Sequence, residues 1–447
     1  MRRIQLGSKM KMIPLVLSLG LLFTGCGGKA SSGGQGKEDT QEGYKVNAVN
    51  LAEGVKQEKQ KETALPDVHG RSLSTGAVRM LSKAMEYGEK NKNCLISPFS
   101  LQMAFGMLTT GSTEGSTTEK ELMELLMPGE ASTPGSMNAE MATLAERMRA
   151  ADGVDWNVVN SLWLKKDGGV KLKDSYISEV VNYYGAELYS APFDQGTVDE
   201  INAWVKKNTK DRIPKIINDL DPDTALVLVN ALAFDGEWNT PVEEHMVKKN
   251  AGFTNADKSV SKVNMLQCEE YGYVQIAGGK GFLKPYKGGR YSFLGLLPPE
   301  GVTVEKYLQD ILSEKTPLSD AIREADYEPR LQVMFPEFKA EYGTEMTEIL
   351  KALGVEKAFT PEAGFGKMIT EDSNRVSVDQ VMHKTMIQVD RKGAKAAAAT
   401  EIAATEACVV EVGETVEIRL DRPFVYAIID REANIPIFLG VQNTMAQ

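Results

Sequence analysis

Leu226-Val227-Leu228-Val229-Asn230-Ala231-Leu232-Ala233-Phe234 is almost continuously apolar, so it reads as a strand buried on both faces. Further strand patterns follow it at 291–297, 331–338, 384–390, 416–420 and 424–429. The part of the chain before it reads mainly as helix. Ser97-Pro98 opens a helix to Thr109 with Leu101, Phe105 and Leu108 on one face, and 117–126 carries Leu122, Leu125 and Leu126. Helices early and strands late imply an α+β fold. From about His69 onward there is no internal repeat and no second low-complexity break, which favours one large domain. The chain of 447 residues, 42% hydrophobic and 25% charged, can bury a substantial core.

At the N-terminus, Arg2, Arg3, Lys9 and Lys11 precede an apolar run at 13–23 that is too short to span a bilayer as a mature helix. This is the pattern of a secretion signal. Its end, Leu22-Phe23-Thr24-Gly25-Cys26, resembles the bacterial lipoprotein box, which implies acylation of Cys26, although Phe23 departs from the usual Leu. An ordinary signal peptide with a chance cysteine is the alternative. The segment after it is rich in Gly, Ser, Lys, Glu and Gln with no apolar period, as in Lys56-Gln57-Glu58-Lys59-Gln60-Lys61. The expected organisation is a signal peptide over 1–25, a lipidated flexible tether over 26–66 and a body over 67–447. The expected location is the cell envelope, lipid-anchored to a membrane and facing the extracellular or periplasmic side.

The residue inventory narrows the chemistry. A net charge of −11 leaves no basic excess to neutralise phosphates, so no nucleic-acid partner is expected. Beyond Cys26, Cys94, Cys268 and Cys408 are odd in number and far apart, suggesting neither a disulfide framework nor a zinc site. His69, His245 and His383 are the only histidines, so a hydrolase triad has few possible bases. His383, beside an alternating strand, is read as structural. Ser259-Val260-Ser261-Lys262 fits the S-x-x-K pattern of penicillin-binding enzymes, but in a chain this rich in Ser and Lys a chance match is expected. No metal, cofactor or obligate oligomer is indicated, and a monomer is expected.

Gly393-Ala394-Lys395-Ala396-Ala397-Ala398-Ala399-Thr400-Glu401-Ile402-Ala403-Ala404-Thr405-Glu406-Ala407-Cys408 lies between two strand patterns. By propensity alone it is a helix. Extended, it places Ala394, Ala396, Ala398, Thr400, Ile402 and Ala404 on one face, and Lys395, Glu401 and Thr405 on the other. A slim uncharged face opposite a charged one suits a strand entering the middle of a sheet over a core. A connection of more than about 20 residues between strands is also far beyond hairpin length and points to function or disorder.

These features, in this order along the chain, resemble the serpin family from about Arg71 to Gln447. Asn93-Cys94-Leu95-Ile96-Ser97-Pro98-Phe99-Ser100 is similar to the early serpin strand and helix. Asn160-Ser161-Leu162-Trp163 is similar to a later strand. Ile201-Asn202-Ala203-Trp204-Val205 with Thr209 resembles a serpin helix, although Asp211-Arg212 stands where Gly-Lys is usual. Val229-Asn230-Ala231-Leu232-Ala233-Phe234-Asp235-Gly236-Glu237-Trp238 matches the most specific signature. Phe335-Pro336-Glu337-Phe338, Leu353-Gly354-Val355, Arg422-Pro423-Phe424 and Pro436-Ile437-Phe438-Leu439-Gly440 complete the series.

The resemblance implies three β-sheets, about eight or nine helices, and an exposed reactive-centre loop that inserts into a sheet after cleavage. It implies a stoichiometric inhibitor and not an enzyme. A target protease attacks the loop, the acyl-enzyme forms, and insertion carries the enzyme away with its catalytic geometry spoiled. Gly393, Ala394, Lys395, Ala396, Ala397, Ala398, Ala399 and Thr400 correspond to the hinge, with Arg391 and Lys395 replacing acidic residues frequent there. Family spacing places the reactive bond at Ala407-Cys408, with other bonds within 405–411 left open because the stretch to Pro423 is long. A small residue there suits an elastase-like or subtilisin-like protease of the serine type, with cysteine-type enzymes a further class. A non-inhibitory serpin-like surface binding lipoprotein is the alternative.

Overall fold

The Ser97 hydroxyl accepts a hydrogen bond from the Ser100 N–H at 3.1 Å, and Pro98 occupies the first turn, where its missing N–H costs nothing. The helix so started runs Pro98–Gly111 and is buried on every side, in keeping with apolar or small residues all round it. The computed structural model of the chain describes residues 47–129, 132–221, 223–393 and 415–445.

In chain order the strands are β1 (Val49–Asn50), β2 (Cys94–Ile96), β3 (Val154–Lys165), β4 (Glu187–Ala191), β5 (Leu226–Gly236), β6 (Val247–Thr254), β7 (Val260–Glu270) and β8 (Tyr273–Ile276). They continue as β9 (Gly279–Pro285), β10 (Tyr291–Leu297), β11 (Arg330–Pro336), β12 (Phe338–Glu345), β13 (Gln380–Val389), β14 (Thr415–Arg419), β15 (Phe424–Asp430) and β16 (Ile435–Gln442). The described residues form nine α-helices; those used below are α1 (Asp67–Tyr87), α2 (Pro98–Gly111), α3 (Thr117–Leu126), α4 (Pro134–Arg149), α5 (Asp174–Tyr184) and α6 (Gln195–Asn208).

The strands make three sheets. The central one has the order β1-β4-β3-β5-β13-β12, the second β2-β16-β15-β10-β9-β8, and the third β14-β11-β7-β6. Helices α1 to α5 and the second sheet share one large core with the inner face of the central sheet, which supplies Leu228, Leu232 and Phe234 from β5. The outer face, with Val227, Val229, Ala231 and Ala233, is covered by Val198, Ile201 and Val205 of α6 and by Ile213, Ile216 and Ile217 after it. Thus β5 is buried on both faces, as its unbroken apolar run requires.

Two readings of the sequence shift. The pattern at 331–338 is two strands in different sheets: β11 ends at Pro336 in the third sheet, and β12 starts at Phe338 in the central one. Pro336 offers no N–H to continue a ladder, and the chain changes sheets at Glu337. The docked body also begins before residue 67. β1 adds an edge strand to β4, the carboxylate of Glu200 on α6 accepts from the backbone N–H groups of Asn47 and Ala48, and the Thr63 N–H donates to the Thr143 hydroxyl at 2.9 Å. Composition missed this because Leu51, Ala52, Val55 and Leu65 reach the core without a sustained apolar period, and backbone pairing and carboxylate contacts hold the rest. No helix among the described residues is long and apolar enough to cross a membrane.

Candidate functional site

The middle of the central sheet contains a parallel pair, β5 with β13, registered from Val227↔Gln380 to Ala233↔Met386. Beyond that point the strands part. β5 continues to Gly236 paired with β3, and β13 continues to Val389 paired with β12. Between their C-terminal ends the ladder is therefore open. A chain that leaves β13 and turns back would run antiparallel to both β5 and β13. That is the better-bonded arrangement, and it would replace a parallel contact by two antiparallel ones.

The chain leaving β13 does turn at this opening. The Asp390 N–H donates to the Gly393 carbonyl at 2.8 Å, and Gly393 also bridges to Glu237 just beyond β5. Gly393 has φ +124°, and a Cβ there would lie 2.1 Å from the Gly236 carbonyl oxygen, so only glycine fits. Trp238 closes the top of the gap. Its indole N–H donates to the Asp390 carbonyl at 2.8 Å, its backbone N–H donates to the Lys392 carbonyl at 2.9 Å, and the Val242 N–H donates to the Arg391 carbonyl at 2.7 Å.

Trp238 is held by packing and charge. Its ring stacks on Tyr286 at 4.3 Å, and the Lys284 ammonium lies 5.3 Å from its centroid. Lys284 is fully buried and pairs with Glu270 at 2.6 Å, while its third strong contact is the Thr240 carbonyl at 3.0 Å. Burial pushes the Glu270 carboxyl above the usual carboxylate range despite Lys284, and it pushes the neighbouring Cys268 thiol up to about 12. Cys268 is therefore a protonated thiol and a poor nucleophile.

Lower in the same seam, Asn230 of β5 and His383 of β13 are register partners whose side chains meet at 2.6 Å. The Ser97 N–H donates to His383 Nε2 at 3.1 Å, so Nδ1 carries the proton and donates to Asn230 Oδ1. The Asn230 amide donates in turn to the Ser100 hydroxyl, the Ser100 carbonyl and Asn160 Oδ1 at 2.6 to 2.8 Å. Complete burial drives the His383 pKa down to about 3, and the ring is neutral. This network ties β3, β5, β13 and the start of α2 into one unit beneath the gap.

Of the residues singled out from sequence, Gly393 stands at the mouth of the opening and His383 within the seam. Ala394, Lys395, Ala396, Ala397, Ala398, Ala399, Thr400, Ala407, Cys408 and Cys26 lie outside the described residues. The segment 394–414 joins two sheets, because β14 resumes at Thr415 on the edge of the third sheet, parallel to β11. His69 pairs with Glu140 at 2.8 Å and His245 with Glu243 at 3.1 Å, both away from the seam. Ser259 closes a hairpin turn on the Asp257 carboxylate. Sequence reading missed the Asn230–His383 link; its signal was the lone Asn in an otherwise apolar strand, which a buried site must satisfy.

Comparison with known proteins converges on one family. The profile of Serpin (serine protease inhibitor) matches residues 73–444. Iripin-2 of Ixodes ricinus is 30% identical over 82% of this chain and 91% of its own. Antitrypsin of Bombyx mori is 27% identical over 82% of this chain and 92% of its own. The crystal structure of the thermophilic serpin tengpin in its native state superposes with a TM-score of 0.81 at 31% identity, covering 90% of this chain and all of that one.

Proposed function

The chain belongs to the serpin family, and from that premise we propose that it inhibits a serine-type endopeptidase stoichiometrically, presenting residues 394–414 as a substrate and trapping the acyl-enzyme. The observation that carries this reading is the parted seam: β5 and β13 separate above Ala233 and Met386, and the chain bearing the loop turns there at Gly393.

The protease serine attacks the carbonyl at the reactive bond, placed at Ala407-Cys408, to form an ester. The amine of the following residue leaves with a proton from the enzyme's histidine. Cleavage frees the loop from β14. The hinge Gly393 to Thr400 then enters between β5 and β13, with Ala394, Ala396, Ala398 and Thr400 toward one side and Lys395 toward the other. Insertion carries the ester away from the mouth of the seam, and lost oxyanion and positioning contacts, on the order of several kcal/mol, slow its hydrolysis by orders of magnitude. Trapping wins only if insertion outruns deacylation.

A small residue on the acyl side suits an elastase-like or subtilisin-like pocket, and a cysteine protease forms an acyl-enzyme by the same logic. We place the protein on a membrane of the cell envelope through lipid on Cys26, acting as a monomer on the outward side. Arg391 and Lys395, in place of acidic hinge residues, favour the alternative of a non-inhibitory binding lipoprotein. Incubation of the full chain with elastase-like, subtilisin-like and papain-like enzymes, followed by denaturing gels and intact mass, separates the two. Inhibition gives a covalent complex with a released C-terminal peptide. Cleavage within 405–411 with full protease activity retained for every enzyme sinks the inhibitor reading.

A further inference from the structure

A cleft of about 620 Å³ opens where α1 ends, and none of its lining residues belongs to β5 or β13. The turn 88–93 wraps it, with Asn91 in the left-handed region at φ 61°. The residues after β16 fix this turn from behind. Asn93 Oδ1 accepts from the Asn443 and Thr444 N–H groups at 2.8 and 2.9 Å, and the Asn443 side-chain amide donates to the Lys92 carbonyl at 3.0 Å. Ala84 and Met85 of α1, Cys94 of β2 and Tyr342 of β12 supply a largely apolar wall. Burial pushes the Cys94 thiol up to about 12 and raises the Tyr342 phenol, so this wall is uncharged. Past Met85 and Glu305 the cleft continues into a second one of about 310 Å³ along the helix Val304–Ser313.

The polar groups of the cleft lack partners. Asn443 is 1% exposed, and its side-chain oxygen accepts no hydrogen bond; a buried acceptor left in that state calls for an N–H or O–H donor. Glu89 and Glu305 bring two carboxylates and Lys90 and Lys92 two ammonium groups, none of the four in an ion pair among the described residues. Glu86, also in the lining, is taken by Lys83 at 2.6 Å. A buried acceptor, an uncharged wall and free charges of both signs match a molecule that carries an ammonium and a carboxylate on an apolar body. The volume falls within the range of small-molecule sites, about 300–1,000 Å³, and the continuation past Met85 favours an elongated shape. We propose that this cleft binds a short peptide by its free termini, the ammonium at Asn443 Oδ1 and the carboxylates of Glu89 and Glu305, the carboxylate at Lys90 and Lys92. The proposal does not depend on loop insertion.

The test uses the full chain and isothermal titration calorimetry with leucyl-glycyl-glycine, and with the same peptide N-acetylated or C-amidated. The free peptide is expected to bind, and each blocked form to bind about tenfold more weakly or worse, because a charge-assisted hydrogen bond is lost. Glu305→Gln and Lys92→Gln, both on exposed side chains, should each weaken the free peptide about threefold to fivefold. Lys92→Gln should leave the affinity of the amidated peptide unchanged, since that peptide has no carboxylate to lose. Asn443→Leu should abolish binding; because it also cuts the tie to the Lys92 carbonyl, the two rim variants carry the test if it fails to fold. Equal binding of free and blocked peptides overturns recognition by the termini. Binding that Glu305→Gln and Lys92→Gln leave unchanged places the peptide elsewhere and overturns the site. Absence of binding by the original chain, folded by circular dichroism, overturns the proposal outright, and the inhibitor reading stands or falls separately on the protease incubation above.

Discussion

The imidazole of His383 lies 2.6 Å from the Asn230 side-chain oxygen, and the two residues face each other in register across the parallel seam of the central sheet. A strand cannot enter there without separating them, so this contact belongs to the uninserted state.

It also gives that state a pH dependence. The His383 pKa is held at about 3 in the fold against 6.5 for an ordinary histidine, so the unfolded chain binds the extra proton between those values. Its contribution is complete above about pH 6.5 and is lost as the pH falls toward 3, a change on the order of a few kcal/mol. Urea unfolding of the uncleaved protein across that range should show the loss, and His383→Gln should flatten it while lowering stability at pH 7.

Trp238→Phe keeps the ring stack on Tyr286 but removes the indole donor to the Asp390 carbonyl. The expected loss of native stability is about 1 kcal/mol, with faster uptake of loop peptide, because the top of the gap loses one closure. Equal stability and equal uptake would remove Trp238 from the account.

The two faces of the hinge should respond differently. On the proposed insertion, Ala398→Glu puts a charge on the slim face of the hinge, which should slow entry and turn most encounters with a protease into simple cleavage. Lys395→Glu changes the opposite face and should leave the stoichiometry of inhibition nearly unchanged. Titration of a susceptible protease with each variant reads this out.

Glu200 of α6 receives the backbone N–H groups of Asn47 and Ala48, next to the edge strand β1. Glu200→Gln should release this arm and lower thermal stability modestly, by about 1 to 2 kcal/mol. Limited proteolysis should then cut within 47–60 sooner than in the original chain.

Much of this was legible in the sequence. The unbroken apolar run of β5 announced a doubly covered strand, and Ser97-Pro98 announced the start of α2. The alternating small residues after Gly393 suggest an inserting segment, a reading that falls outside the described residues. Contacts that depend on distant partners were not legible. Nothing local says that Asn230 meets His383, that Arg212 reaches Asp235, or that Lys384 reaches the Lys215 carbonyl, since each pair is joined only when the sheet assembles. The early start of the body was hidden for the same reason: β1 is recruited by an open sheet edge and needs no apolar pattern of its own. The split at Glu337 was masked because both flanking strands are apolar there.

The most direct measurement is a crystal structure of the chain cleaved within 405–411. The account predicts a new strand from Gly393 onward, hydrogen-bonded antiparallel to both β5 and β13, with Asn230 and His383 separated. A cleaved chain that keeps the Val227↔Gln380 to Ala233↔Met386 register, with the freed segment outside the sheet, would contradict it.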